Sequence, residues 1–529
     1  MFLLRNTCLM FYTMISCSFA QVNIEWAARY NGPNLDGALA IAVDDAGYIY
    51  ITGGSETDTS YFDYVIIKYT PLGDTVWVRK FNGSENGFDV ARDIVVDDSG
   101  NVYLTGTSVM GTIKYDKDGN EIWFRRFGLF SAGYRIEFDQ YGYIYVAGES
   151  NFNYALVKYN TDGDQIWAKT YNGPTNNDDL IKDIVIDNRA NIIVTGGSKV
   201  ISNDWDIATI KYSGDSGDTL WVRRYNGPSQ NSPYDDGYGI TVDDSGNVYI
   251  TGWSDGINEG AQCITIKYSP DGDLLWERRF PSGGSIGYVG YDIINDPSGF
   301  VYVAARANGY DDTLLKYDRE GNLIWSAQYI ALHTFATNQP RLVRDQFGDI
   351  YMSSTTGDGA HAYYVVLKYN PDGDQIWEYK YRPPNATMSV NNAYDLYVDS
   401  SLNVYVTGEG IGGSGFFSDF DCLTIKLSQD PTTIYQDSEL LPAEFRLLQN
   451  YPNPFNSVTN ITFTLQQSVN VNMKIYTLLG EEITTLISKN YSAGTYTVIW
   501  DAGALPSGIY LCRLQAGEEQ RVIKLLLMK

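Results

Sequence analysis

The chain has 529 residues, 44% of them hydrophobic, with 64 acidic and 38 basic side chains and a formal net charge of -26. This length exceeds one ordinary hydrophobic core, so we expect repeated units that pack on their neighbours. The negative charge repels nucleic-acid phosphates and anionic lipid headgroups, and the sequence therefore predicts no nucleic-acid partner.

The first 20 residues have the pattern of an export signal. Arg5 precedes an apolar run from Leu9 to Ile15, and small residues end at Ala20, which predicts cleavage before Gln21. Lipidation at Cys17 is an alternative, because the residues before it loosely resemble a lipoprotein cleavage box. No later apolar stretch is long enough to be a transmembrane segment.

Residues 21–428 repeat one pattern eight times. Each repeat has a strand a that ends in Asp, a VYVTG-like strand b, an IKY-like strand c and a Trp-containing strand d. Successive repeats lie 44 to 58 residues apart, which is typical of one four-stranded propeller blade per repeat. The repeated Asp residues are Asp44, Asp97, Asp139, Asp187, Asp243, Asp296, Asp345 and Asp399, and the repeated Lys residues are Lys68, Lys114, Lys158, Lys211, Lys267, Lys316, Lys368 and Lys426.

The phase of the repeat predicts how the ring closes. The eighth strand c, which ends at Leu427, has no Trp strand after it, whereas an orphan strand d with Trp26 opens the mature chain. We therefore predict an all-β, eight-bladed β-propeller closed by the N-terminal strand, with seven blades as the alternative.

The repeat units resemble the bacterial SBBP-type β-propeller repeat, through segments such as DIVVDDSGNVYLTGTS and TIKYDKDGNEIWFRRF. The resemblance covers about three quarters of the chain. It implies a propeller that is usually described as seven-bladed, and it implies no fixed activity.

The repeated polar residues are interpreted as structural. Asp97, Asp243 and their equivalents would organise the turn from a to b, and Lys114, Lys267 and their equivalents would pair with those Asp residues, because a buried ammonium needs a partner. The Asp-Gly turns between c and d fit tight hairpins. Calcium at these turns is an alternative, and otherwise the sequence predicts no cofactor and no metal site.

No catalytic motif is evident. Only His333 and His361 are available, no GxSxG elbow occurs, and carboxylate catalysis in a central funnel stays open without an identifiable pair. After cleavage, Cys263, Cys422 and Cys512 remain, a scattered set that indicates buried packing rather than disulfides.

The loops that follow strands b and d share one face of the propeller, and only these loops vary. Their aromatic residues are suited to stacking on sugars or contacting protein, with plugging of a blade edge as the alternative for each. The candidate ligand-binding residues are Tyr61, Phe62, Trp205, Trp253, Tyr310, Phe416 and Phe417.

Residues 429–442 are predicted to be a linker, and residues 443–529 a small Ig-like β-sandwich. The segments NYPNPFN, KIYTLLGEEI, AGTYTVIWDA and LPSGIYLCRL resemble the type A C-terminal sorting domain of the type IX secretion system. The resemblance implies recognition by the outer-membrane translocon and removal by a surface sorting protease, with an ordinary adhesion module as the alternative. Its motif residues are Pro452, Asn453, Pro454, Phe455, Gly480, Gly508 and Lys529.

The sequence therefore predicts a protein that passes through the periplasm and is secreted or displayed on the outer-membrane surface. The expected function is a non-catalytic binding module for glycan or protein. A carboxylate-based glycan hydrolase or lyase and a structural surface protein are the alternatives.

Overall fold

The structure is a computed structural model that describes residues 22–429, 435–437 and 445–528 apart from short gaps. The chain divides into two compact units, residues 23–428 and residues 429–529, with residues 1–22 grouped with the second. Within the described residues, no helix is long and apolar enough to cross a membrane. The gaps are 33, 58–61, 84–86, 108, 129–130, 202–203, 230–233, 257–259, 281–286, 308–310, 332–338, 358–360, 384–389, 412–419, 451–452, 457, 468, 492–493 and 504.

In the described part of the first unit, the strands form eight four-stranded antiparallel sheets. The N-terminal strand is β1 (Val22–Tyr30). The first four sheets contain β2 (Asp36–Val43), β3 (Ile49–Ser55), β4 (Asp63–Tyr69) and β5 (Thr75–Phe81); β6 (Ala91–Val96), β7 (Val102–Gly106), β8 (Gly111–Tyr115) and β9 (Glu121–Arg125); β10 (Ser131–Phe138), β11 (Ile144–Ser150), β12 (Asn153–Tyr159) and β13 (Gln165–Tyr171); and β14 (Asp179–Ile186), β15 (Ile192–Ile201), β16 (Asp204–Tyr212) and β17 (Thr219–Tyr225).

The next four sheets follow the same order. They contain β18 (Asp235–Val242), β19 (Val248–Gly256), β20 (Gly260–Tyr268) and β21 (Leu274–Phe280); β22 (Tyr288–Asn295), β23 (Val301–Ala307), β24 (Asp311–Tyr317) and β25 (Leu323–Tyr329); β26 (Leu342–Arg344), β27 (Ile350–Gly357), β28 (Ala362–Tyr369) and β29 (Gln375–Tyr381); and β30 (Asn391–Val398), β31 (Val404–Ile411) and β32 (Phe420–Gln429) with β1.

The a strands of consecutive sheets contact one another, and β30 contacts β2 again, so that these strands line the centre of a closed ring. Strands b and c are almost wholly buried, as expected for sheets that are covered on both faces. The eighth sheet has the order β1-β32-β31-β30, which is the N-terminal closure that the orphan Trp strand predicts.

A repeated contact joins each sheet to the next. Lys114 and Trp123 are cross-strand neighbours in the second sheet, and both donate to the carbonyl of Thr161 in the c–d turn of the third sheet, at 2.9 and 3.0 Å. Gly163 of that turn has φ +80°, and a Cβ on it would lie 2.8 Å from the Trp123 ring. This glycine is therefore needed both for the turn and for the close approach of the indole.

The predicted pairing of the repeated Lys with the turn Asp is wrong for most sheets. Seven of the eight lysines donate instead to a turn carbonyl of the neighbouring sheet, at 2.6 to 3.4 Å. Ion pairs with the repeated Asp occur only for Lys211 with Asp187, at 2.8 Å, and for Lys368 with Asp345, at 3.7 Å. Lys368 Nζ also lies 2.9 Å from Asp349 Oδ2.

The repeated Asp organises the a–b turn, as the sequence predicts. In the second sheet, Asp97 Oδ1 accepts the N–H groups of Ser99 and Asn101 at 2.9 and 2.8 Å, and Oδ2 accepts the hydroxyl of Tyr103 at 3.1 Å. Asp243 does the same in the fifth sheet, with Tyr249 at 3.0 Å. These carboxylates are thus satisfied by hydrogen bonds within the turn.

The second unit contains two further four-stranded sheets around one hydrophobic core. Their orders are β33-β38-β35-β34 and β37-β36-β39-β40, and β33 lies within the segment that the sequence assigns to the linker. The strands are β33 (Tyr435–Asp437), β34 (Arg446–Leu447), β35 (Val458–Leu465), β36 (Val469–Thr477), β37 (Glu482–Tyr491), β38 (Gly494–Asp501), β39 (Gly508–Ala516) and β40 (Glu519–Leu527).

The motif residues of this unit have structural roles where they are described. Asn453 Oδ1 accepts the N–H of Leu526 at 2.9 Å, and Phe455, 2% exposed, packs on Trp500. Gly480 has φ +85° in the turn before β37. Gly508 is the first residue of β39. Pro454 follows Asn453 through a cis peptide bond, and Pro452 and Lys529 lie outside the described residues.

Candidate binding site in the central cavity

A bulge recurs at one position of the central a strands. The register shifts between Ala91 and Asp93 in β6, and equivalent shifts occur in β2, β10, β14, β18, β22 and β30. A bulge inserts one extra residue and redirects its side chain. The residues at these bulges are Leu39, Arg92, Tyr134, Lys182, Tyr238, Tyr291 and Tyr394.

Six of these bulge residues line a cavity of about 390 Å³ where the a strands meet. Seven of the eight sheets contribute to it. Its lining residues are Leu39, Arg92, Tyr134, Arg135, Leu180, Ile181, Lys182, Tyr238, Gln339, Arg341 and Tyr394. A cavity of this size and mixed polarity falls within the range of small-ligand sites.

Four carboxylates alternate around the ring at the residue after the bulge. They belong to the second, fourth, sixth and eighth sheets, and each accepts the backbone N–H of the next sheet's a strand at 2.7 to 3.0 Å. Burial raises the pKa of three of them, that of Asp93 to about 6. Because each carboxylate accepts a hydrogen bond from the neighbouring a strand, we interpret these groups as structural links between strands rather than as free acids or bases. They are Asp93, Asp183, Asp292 and Asp395.

Glu137, also on a central a strand, differs from these four carboxylates. It lies two residues after Arg135 on β10 and is not among the residues that line the cavity. Desolvation, together with the charges of Asp93 and Asp183, raises its pKa to about 8. The group is therefore largely protonated at neutral pH.

The cations of the cavity differ in their partners. Arg135 Nε donates to Asp183 at 3.1 Å, and Lys182 Nζ lies 4.0 Å from Asp236. Arg92 and Arg341 form no ion pair within 4.0 Å with any residue that the structure describes.

The tyrosines of the cavity are held in place by neighbours. The Tyr394 hydroxyl donates to Glu409 at 2.9 Å, and the Tyr134 hydroxyl is hydrogen-bonded to Glu149. Tyr238 packs on Tyr291 with ring centroids 5.4 Å apart. The site thus contains aromatic side chains whose positions are fixed by neighbouring groups.

Among the predicted loop aromatics, the structure brings Trp205 and Trp253 together through Tyr234. The Tyr234 ring lies 6.1 Å from that of Trp205 and 5.2 Å from that of Trp253. The Tyr234 hydroxyl donates to Asp236 at 3.2 Å, next to Lys182 of the cavity. We call Trp205, Tyr234 and Trp253 the rim cluster. Both tryptophans are half-buried, and Trp253 Nε1 donates to Asp255 at 2.8 Å.

Phe62 occupies the position equivalent to Trp205 in the first sheet, and its ring lies 4.8 Å from that of Phe88. This contact supports the plug interpretation for Phe62. Tyr61, Tyr310, Phe416 and Phe417 lie outside the described residues.

The cysteines and histidines are the other side chains that the sequence offers for catalysis or metal binding. The thiols of Cys263, Cys422 and Cys512 are buried and free, and burial raises the pKa of Cys263 to about 12. His361 packs near Tyr363 at 6.3 Å, and His333 lies outside the described residues. No group of three or more His, Cys, Asp or Glu that could hold a metal ion occurs among the residues described.

Sequence reasoning missed the cavity residues, although a signal was present. The six bulge residues among them lie five positions before the repeated Asp, where the repeat changes between Leu, Arg, Tyr and Lys. Comparing this position across the eight repeats would have identified it as a variable site inside a regular strand.

Comparison with known proteins identifies both parts of the chain. The family model for the secretion system C-terminal sorting domain matches residues 449–528, and that for the β-propeller repeat matches residues 220–258. The chain therefore contains an SBBP repeat and a type IX sorting domain, and the latter implies export to the cell surface or secretion. No curated protein matches the chain.

Solved structures similar to this chain include virginiamycin B lyase from Staphylococcus aureus, with 15% identity, TM-score 0.40 and coverage of 63% of this chain and 96% of that one. The C-terminal WD40 domain of Sif2 is similar at 8% identity and TM-score 0.48, over 75% of this chain and 98% of that one. A streptogramin B lyase is similar at 12% identity and TM-score 0.38, over 77% and 98%.

Proposed function

We propose that this exported propeller protein is a non-catalytic binding module for glycan or protein, and that its recognition site is the central cavity with the rim cluster. The observation that carries the proposal is the cavity lining, in which tyrosine and cationic side chains from six sheets converge. The carboxylates around it are engaged with backbone N–H groups, which leaves binding as the chemistry that the site favours.

The rim cluster extends this site toward the variable loops. Trp205 lies near the start of a strand c, Trp253 near the end of a strand b, and Tyr234 directly before a strand a. In antiparallel sheets these positions lie at the same end, where the a strands also begin. A ligand held in the cavity could therefore extend over the rim cluster.

We also propose the finer fold on which this site depends. The eight sheets are the blades of one closed propeller, supported by the contacts that return from β30 to β2. The C-terminal unit is an Ig-like β-sandwich, supported by two antiparallel sheets around one core.

A glycan hydrolase or lyase is the second candidate, because Glu137 offers a carboxyl with a raised pKa on a central a strand. A carboxyl with a raised pKa is suited to act as a general acid. This alternative predicts that a bound glycan is cleaved and that Glu137→Gln abolishes cleavage. The binding proposal predicts that the glycan is recovered intact.

The test is a screen of the purified full chain against arrays of glycans and surface proteins, with two variants in parallel. Leu39→Trp adds bulk at the cavity wall, while Leu72→Trp makes the same change in a c–d turn where Leu72 is 79% exposed. We expect the strongest signals of the wild type to be lost in Leu39→Trp and kept in Leu72→Trp. Equal signals for both variants would contradict the proposed site.

A further inference from the structure

The charged residues that line the cavity are cationic wherever the structure describes its wall. Arg92, Arg135, Lys182 and Arg341 contribute to that wall, and no described Asp or Glu does. The protein as a whole carries a net charge of -26, so four cations around one small cavity run against its general composition. Such a concentration of like charge costs stability unless a counter-charge is bound.

The nearby carboxylates differ in how closely they approach these cations, and the charge of Arg341 acts at longer range on Asp292 and Asp395, where it opposes the rise of their pKa. Arg135 has Asp183 as its partner, and Lys182 lies beside Asp236. Arg92 is exposed and Arg341 is half-buried, and neither forms an ion pair within 4.0 Å with a described residue. Two guanidinium groups at one cavity can each bind an oxyanion through two parallel N–H donors.

The rest of the wall is unlike that of a simple ion site. Tyr134, Tyr238 and Tyr394 contribute aromatic rings, and Gln339 adds an amide. Aromatic faces with polar groups between them suit a sugar ring, which has apolar faces and a hydroxyl-bearing edge. A cavity of about 390 Å³ is of the size that takes one or two such rings.

We infer that the ligand of this cavity is an acidic saccharide, in which a carboxylate or sulfate is bound by Arg92 and Arg341 while a sugar ring packs on the tyrosines. This inference rests on the proposed function and adds the chemical class of the ligand. An acidic peptide offers the same charge, but its side chains lack the ring that the tyrosine faces accommodate.

The experiment measures binding of the full chain by calorimetry to tetrasaccharides of glucuronic, galacturonic and mannuronic acid. Each is paired with the same tetrasaccharide after its carboxylates are reduced to alcohols. A sulfated galactose tetrasaccharide and hexaglutamate are the further probes. We expect at least one acidic tetrasaccharide to bind about ten-fold or more tightly than its neutral partner, and its affinity to fall as salt is added.

The variants Arg92→Gln and Arg341→Gln should each weaken binding of that tetrasaccharide about ten-fold, and Arg341→Lys should restore part of the loss. Arg189→Gln is the matched control, since Arg189 is exposed in the turn at the opposite end of β14 and its loss should leave affinity unchanged. Thermal melting of all four variants establishes that they are folded.

Preference for the sulfated tetrasaccharide over the uronates, with the same Arg dependence, would identify sulfate as the oxyanion. The inference is overturned if no acidic saccharide binds better than its neutral partner, if hexaglutamate binds best, or if the Arg92 and Arg341 variants bind like the wild type. Neutral saccharides that bind wild type but not Leu39→Trp would overturn the acidic class and leave the proposed binding site intact.

Discussion

Replacing Trp26 by Ala should destabilise the propeller as much as replacing a tryptophan inside it. Trp26 Nε1 donates to the carbonyl of Pro71 at 3.1 Å, and Lys426 Nζ donates to the same oxygen at 3.4 Å. A Cβ on Gly73 would lie 2.6 Å from the indole. The contact between the eighth and first sheets thus has the geometry of the internal contacts, although its parts come from opposite ends of the unit.

The magnitude follows from the buried surface. A tryptophan side chain buries about 150 to 250 Å² when fully enclosed. Trp26 is partly buried, so about 100 Å² at ~25 cal/mol/Å² gives about 2.5 kcal/mol. The lost hydrogen bond adds about 1 kcal/mol. We expect Trp26→Ala to lower the free energy of unfolding by about 3.5 kcal/mol.

The assay is urea unfolding of the full chain followed by far-UV circular dichroism, with two matched variants. Trp123→Ala, the internal equivalent, should cost about 3 to 5 kcal/mol. Ile24→Ala on the same strand as Trp26 should cost little, because Ile24 is 38% exposed. A Trp26→Ala variant that unfolds like the wild type, beside a strongly destabilised Trp123→Ala, would refute closure by the N-terminal strand.

Four further predictions concern the c–d turns, the rim cluster, Glu137 and export of the protein. Gly119→Ala should lower the free energy of unfolding by more than 2 kcal/mol, since its Cβ would lie 2.9 Å from an indole, whereas Gly260→Ala, with nothing within 4 Å, should cost only the backbone strain of about 1 kcal/mol. Trp253→Ala should weaken the best ligand of the array by about 1 to 3 kcal/mol in titrations while changing the melting temperature little. Because the pKa of Glu137 is raised to about 8, stability should fall as pH rises from about 5 to 8, and Glu137→Gln should reduce that fall in pH-dependent melts, to which Asp93, Asp235 and Asp236 also contribute. Deleting residues 443–529 should retain a folded propeller in the periplasm, and surface display of that truncation would contradict the sorting role.

The sheets and their closure could be predicted because their signals are local and repeated. The Trp of strand d and the Asp of strand a mark the phase of every repeat, so the unmatched strand around Trp26 stands out in the sequence. The partner of the repeated Lys could not be predicted in this way. A backbone carbonyl has no side-chain signature, and the one that Lys114 reaches lies 47 residues away.

The cavity could not be predicted from the sequence for a related reason. Arg92, Tyr134 and Arg341 are far apart along the chain and converge only because bulges in the a strands turn side chains toward the centre. The sequence indicated two of the three residues of the rim cluster. Trp205 and Trp253 stood out as tryptophans outside the d strands, but Tyr234, which joins their rings, belongs to a position that is aromatic in other repeats too.

The most direct test of the proposed recognition site is hydrogen exchange of the full chain, followed by mass spectrometry, with and without the strongest ligand of the array. We predict slower exchange at the beginnings of β6, β10, β14, β18 and β30 and around Tyr234, where the cavity and rim cluster lie. Slower exchange confined to the a–b and c–d turns, at the opposite end of the sheets, would contradict it.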